Sequence, residues 1–252
     1  MTRGRRMKKN NNTKIIFYFI IYFLLFFVLI YSGIKIYEWY RDKNKNNEIA
    51  QKIKETVIVE SNGKNKEEYL IDFDKLKEQN NEAIAWIKVN NTNIEYPVVK
   101  TKNNEFYLNH SFDKSENLGG WIFADYKNKF NGTDKNIVIY GHNMKDNSMF
   151  GTMQNILNPE WYNNEENTNI ILKTEGKNYI YKVFSIYRIE NEDYYIKTEF
   201  SNDSEFEQFL NTLKARSIRD FNMDMLESDS ILTLSTCDNN NKYRVVLHAK
   251  KI

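Results

Sequence analysis

One cysteine stands among 252 residues, and that scarcity excludes two devices at once. A single thiol cannot close a disulfide within the chain. Nor can it build a structural zinc site with three histidines, His110, His142 and His248, that lie far apart in sequence. No metal and no cofactor are therefore expected. Charge of one sign is lacking too, with 36 Lys and Arg against 34 Asp and Glu. Six of the basic residues, Arg3, Arg5, Arg6, Lys8, Lys9 and Lys14, crowd the first fourteen positions, and 36 less six leaves 30 bases against 34 acids beyond them. No run of interleaved basic and aromatic residues occurs, so nucleic acid is not the expected partner. Prolines number two, and no internal repeat is visible.

What the chain does have is one long uncharged run, the 20 residues Ile15 to Ile34. As a helix it spans roughly 30 Å, the thickness of a bilayer core. All flanking charge on its N-terminal side is positive, which predicts a cytoplasmic N-terminus and an extracytoplasmic remainder. The run is long for a signal-peptide core and no A-x-A-like site follows it, so an uncleaved signal-anchor is expected. The predicted organisation is a basic tail over 1–14, a membrane span over 15–34, a stalk or linker over 35–66 and a folded domain over 67–252. Ile49, Ile53 and Val57 recur at helical spacing within the stalk.

The folded part reads as about eight short strands with few helices. The strands are 85–89, 93–99, 120–125, 136–141, 169–174, 178–188, 230–237 and 243–250. Pro97 lacks an N–H, which places its strand at an edge or an irregularity. Short helices are predicted from Tyr69 to Leu76, over Ser148–Leu157 and from Pro159. The clearest one is read from a Ser204–Glu207 capping box and the stripe Phe206, Phe209, Leu210 and Leu213. Long helices do not alternate with the strands, so a barrel or sandwich is favoured over a parallel α/β sheet.

The last two strands carry the chemistry. ILTLSTC, the turn DNNNK and YRVVLHAK form a hairpin. Pairing Cys237 with Arg244 puts Ser235 opposite Val246 and Thr233 opposite His248, with Cys237 and Arg244 on one face. A lone cysteine is a small buried residue, an intermolecular disulfide partner or a reactive thiol, and the neighbouring guanidinium tilts the choice to the last. His248 shares that face but lies about 13 Å from the turn end, too far for proton transfer. His110 sits in a polar loop. His142 ends the apolar strand NIVIYG, a usual position for a catalytic group, although the residues alone do not bring it to Cys237. Ser235 either lines a groove or satisfies a backbone group. Asp238 either raises the thiol's pKa or opens the turn. Thr236 alternates to the other face and reads as packing or backbone bonding.

TLSTC at Thr233–Cys237, Arg244 seven residues on and YGH at Tyr140–His142 together resemble a sortase. WIKVNNTNIEYPVV, NEFYLNHSF and GGWIFADYKN are similar to class B sortases in particular, as is the helix Ser204–Arg216. Sortases are membrane-anchored cysteine transpeptidases of Gram-positive bacteria. The resemblance implies an eight-stranded β-barrel with an N-terminal helical extension, in which the strand of His142 runs parallel beside that of Cys237. It implies Cys237 as nucleophile, His142 as general acid/base, Arg244 as oxyanion or substrate-orienting group, and a substrate contact for Asp238. The implied reaction cleaves a C-terminal sorting motif of a secreted protein through a thioacyl-enzyme and passes the acyl group to an amine of a peptidoglycan precursor. The alternatives are a non-catalytic adhesion or sensing ectodomain and a plain cysteine protease.

Overall fold

The computed structural model describes residues 11–60, 69–190, 192–237 and 242–252. It divides into two compact units, Met1–Asn44 and Lys45–Ile252. Helix α1, Asn11–Val57, supplies the described structure of the first. There its apolar side chains face outward all round, Phe19 being 74% exposed and Leu29 71%. A helix apolar on every side has no face that water favours. By length and composition α1 is able to cross a membrane.

In the second unit α1 changes character. Ala50, Ile53 and Val57 form one buried stripe in the core of the unit. The helical spacing read at Ile49, Ile53 and Val57 is thus a packing face, and the second unit takes in α1 from Lys45. Strand β1, Ile58–Glu60, pairs antiparallel with β2, Tyr69–Ile71. A helix starting at Tyr69 is therefore wrong by one turn. Asp72 accepts a hydrogen bond from Lys75 N at 3.0 Å, and this cap starts α2, Phe73–Gln79.

Eight strands close into a barrel. They are β3 (Ala83–Val89), β4 (Glu95–Val99), β5 (Phe123–Ala124), β6 (Asn136–His142), β7 (Asn169–Thr174), β8 (Lys177–Glu190), β9 (Ile231–Cys237) and β10 (Tyr243–Lys251). The order around the barrel is β10-β8-β7-β3-β4-β5-β6-β9. Pro97 pairs with Trp86 of β3, while on its other side β4 meets β5 only at Val99–Phe123, so the missing N–H breaks no ladder there. The β7–β8 turn carries Gly176 at φ +73°, a conformation open to glycine.

Alternation along the strands sorts the side chains into two cores. Ile137, Ile139, Leu232, Leu234, Val245 and Leu247 fill the barrel. On the outer face, Phe184, Tyr187, Tyr195 and Val246 pack under α4, Asp203–Arg216, which contributes Phe206, Phe209, Leu210 and Leu213. That stripe is the one read from sequence. Its cap is Asn202 rather than Ser204: Asn202 Oδ1 accepts from Glu205 N at 2.9 Å. Glu205 accepts in turn from Ser201 N. A segment Gly151–Leu157 is 3-10 rather than α-helical, and α3, Pro159–Tyr162, starts at a proline as expected.

Candidate active site

Two strands set the site. β6 and β9 are buried on both faces and run parallel, pairing Asn136 with Ile231 through to His142 with Cys237. The chain's one cysteine and a histidine 95 positions earlier (142 to 237) are thus adjacent backbone positions at the same end of two neighbouring strands. β10 returns antiparallel beside β9, with Val246 opposite Ser235 and His248 opposite Thr233, the register read from sequence. Arg244 shares its outward face with Val246 and His248.

His142 is held from one side. Its Nε2 lies 2.7 Å from the Leu108 carbonyl oxygen. A carbonyl only accepts, so Nε2 carries the hydrogen and Nδ1 of the neutral ring is the free base. Burial lowers the His142 pKa below its usual value; the Leu108 carbonyl opposes this, and the Arg244 charge adds to it. The strand end leaves no room for a larger neighbour. A Cβ on Gly141 would stand 2.5 Å from Ile122 Cδ1 and 2.7 Å from Phe150 Cγ. Thr236, paired with Gly141, turns away from the site and its Oγ1 accepts from Val245 N at 2.9 Å.

A cavity of about 240 Å³ opens beside these strand ends, lined by Ser235, Arg244, Leu108, Tyr140, Tyr195 and Ile196 among others. Ser235 lines it from β9 and shares a 2.9 Å hydrogen bond with the Tyr195 hydroxyl, a side-chain partner rather than the backbone group of the second reading. Tyr140 and Asn104, which also line the cavity, donate through Oη and Nδ2 to Asp125, both at 2.8 Å. Asp238 lies outside the described residues. A larger polar cavity of about 580 Å³ at the β3–β4 turn is lined by none of the candidate residues.

The remaining histidines stand elsewhere. His110 stacks on Phe106 at 3.9 Å between ring centroids and bonds the Phe106 carbonyl through Nδ1 at 2.8 Å. His248 is fully buried between Tyr187 Oη at 2.8 Å and Thr233 Oγ1 at 2.9 Å. Among the described residues, no group of three or more His, Cys, Asp or Glu is arranged to hold a metal ion. Leu108, Tyr195 and Ile196 were not singled out from sequence. They sit on single turns of 3-10 helix, Phe106–Leu108 and Tyr194–Ile196, too short for a periodicity to mark a face; the nearest signal was the stretch NEFYLNHSF, read as a whole.

The chain matches the family model described as Sortase domain over residues 87–252. A Listeria monocytogenes protein named Sortase B is 33% identical over 233 residues, covering 89% of this chain and 92% of its own length. The crystal structure of Clostridium perfringens sortase B superposes with a TM-score of 0.68 at 38% identity, covering 72% of this chain and all of that one. Bacillus anthracis sortase B in complex with AAEK1 gives 0.74 at 31% identity, covering 84% and 99%.

Proposed function

The chain belongs to the sortase family, class B, and is a cysteine transpeptidase; within that activity we propose that Cys237 is the nucleophile, His142 the general acid/base and Arg244 the oxyanion or substrate-orienting cation. The observation that carries this assignment is the pairing of His142 with Cys237 in the parallel ladder. Nδ1 of His142 takes the proton of the Cys237 thiol, and the resulting thiolate attacks the scissile carbonyl of the sorting motif, forming a C–S bond. Arg244, always charged and fork-shaped, faces the oxyanion that develops. His142 gives the proton on Nδ1 to the leaving amine as the C–N bond breaks, which leaves a thioester and a neutral ring. The acceptor amine then attacks the thioester, returns a proton to Nδ1 and releases the thiolate. Nδ1 is the shuttle because Nε2 is engaged by Leu108.

The cavity between Ser235, Tyr195 and Leu108 is the seat for the sorting motif, and Asp238 contacts the same substrate. The substrates are secreted proteins with a C-terminal sorting motif, and the acceptor is an amine of a peptidoglycan precursor. Residues 15–34 anchor the chain in the membrane, with the basic tail of 1–14 on the cytoplasmic side and the catalytic unit outside. The test is the mass of the protein after exposure to a library of sorting-motif peptides. An acyl adduct on Cys237 is expected, absent in Cys237→Ala, strongly reduced in His142→Ala and discharged faster by added amine. Undiminished acylation of His142→Ala refutes the acid/base role, and discharge indifferent to amine returns the reading to a protease.

A further inference from the structure

The hydrogen bond from His142 to Leu108 decides which ring nitrogen exchanges protons, so whatever holds the Leu108 carbonyl matters to the site. Leu108 lies in the long connection between β4 and β5. That connection touches His142 again at Gly120, which adopts φ +55°. A Cβ there would stand 2.4 Å from Tyr107 O, 2.8 Å from Leu108 O and 2.9 Å from His142 Cδ2. The backbone at 120 therefore abuts both partners of the His142–Leu108 bond. Its neighbour abuts something else: a Cβ on Gly119 would stand 3.0 Å from Asn46 Nδ2. Gly119 and Gly120 form a partition one backbone thick, with Asn46 on one side and His142 on the other.

Asn46 belongs to α1 and is 3% exposed. Its Nδ2 donates to Gly120 O at 3.0 Å and to Asn117 Oδ1 at 3.3 Å, and its Oδ1 accepts from Ser111 Oγ. One amide thus uses both N–H groups and its oxygen on three points of the same connection. Deleting it strands the buried Gly120 carbonyl and Ser111 hydroxyl and frees the partition to shift.

We propose that Asn46 is a positioning residue for His142, holding the Gly119–Gly120 partition so that the Leu108 carbonyl keeps the ring in its Nε2–H tautomer. Its bearing on the reaction rests on the reading of His142 as the acid/base. Lys45 of α1 also reaches this connection, at Ser115 and Asp113, whereas Asn46 bonds Gly120 itself, which separates its role from general packing of that helix through Ile53.

Three histidines make the tautomer directly readable. With 15N-labelled histidine in the full chain in detergent, long-range 1H–15N spectra report each ring. The wild type is expected to show His142 as one tautomer, protonated at Nε2. Asn46→Ala, and Asn46→Asp, which still accepts from Ser111 but cannot donate to Gly120 O, are expected to move His142 toward a tautomer mixture, with His110 and His248 unchanged. Ile53→Ala loosens the same helix and is expected to leave the His142 spectrum as in wild type. A wild-type His142 spectrum in both Asn46 variants overturns the proposal. So does an equal change in Ile53→Ala at the same loss of melting temperature. With the peptide that loads Cys237 in the mass assay, acylation of Asn46→Asp is expected to fall about tenfold. A tautomer mixture with undiminished acylation supports the positioning and refutes instead the acid/base reading of His142.

Discussion

His248→Gln is expected to flatten the acid side of the stability curve by about one proton. The imidazole is fully buried, and burial pushes its pKa down to about 3. Its polar surroundings are neutral hydroxyls. Thr233 donates to Asn136 Oδ1 at 2.7 Å, so it accepts from His248 Nδ1–H, and the Tyr187 hydroxyl donates to Nε2. Tyr187 accepts in turn from Tyr194 at 3.0 Å. A second ring proton would face a hydroxyl already donating. In the unfolded chain an ordinary histidine titrates near 6.5, so below that value the unfolded state binds a proton the folded state refuses. Stability contributed by the neutral ring is complete above about 6.5 and is lost as pH falls toward 3. At about 1.36 kcal/mol per pH unit, rounded off near the unfolded midpoint, the loss between pH 7 and pH 5 is about 2 kcal/mol. Glutamine retains one donor and one acceptor and does not titrate. Urea unfolding of the full chain in detergent, followed by the fluorescence of buried Trp86 and Trp121, gives the free energy at both pH values for each protein. The wild type should lose about 2 kcal/mol more than His248→Gln over that interval, whatever their difference at pH 7. Parallel losses, within about 0.5 kcal/mol, would refute the neutral buried ring.

Other outcomes follow from the site. Arg244→Lys should slow acylation by roughly 10²-fold, because an ammonium cannot reproduce the guanidinium fork; stopped-flow acylation checks this, and near-wild-type rates sink the oxyanion role. Gly141→Ala should cost about 1–3 kcal/mol by forcing a methyl against Ile122 and Phe150, seen as a lower urea midpoint. An NMR titration should place His142 below about 6.5, since burial and the Arg244 charge both disfavour its cationic form; a midpoint above that value contradicts the described surroundings.

The hairpin was legible because alternation puts Leu232, Leu234, Val245 and Leu247 on one face, and a slip by one residue would turn them out of the barrel. The strand NIVIYG was legible as a run buried on both sides. The eight-stranded barrel followed from strand count and resemblance. What escaped had weaker local signals. Tyr69, Leu70, Phe73 and Leu76 satisfy a helical template by chance, yet Tyr69–Ile71 pair with β1. Ser204 and Asn202 are both competent caps by residue type, and only the structure shows that α4 starts at Asp203 behind Asn202. Asn46 carried no sequence signal, since its partners at Ser111, Asn117 and Gly120 are more than sixty residues away.

The parallel pairing of β6 with β9 also sets when the proposed base, His142, comes beside the thiol. Between His142 and Cys237 the chain must first lay down β7, β8 and α4, and the strand that brings the cysteine home is the penultimate one of the barrel. Contacts so distant in sequence form late. Until the sheet closes, Cys237 has no imidazole at its side and behaves as an ordinary thiol. On the proposed roles, assembly of the barrel is the activation step, and an incompletely folded chain is silent.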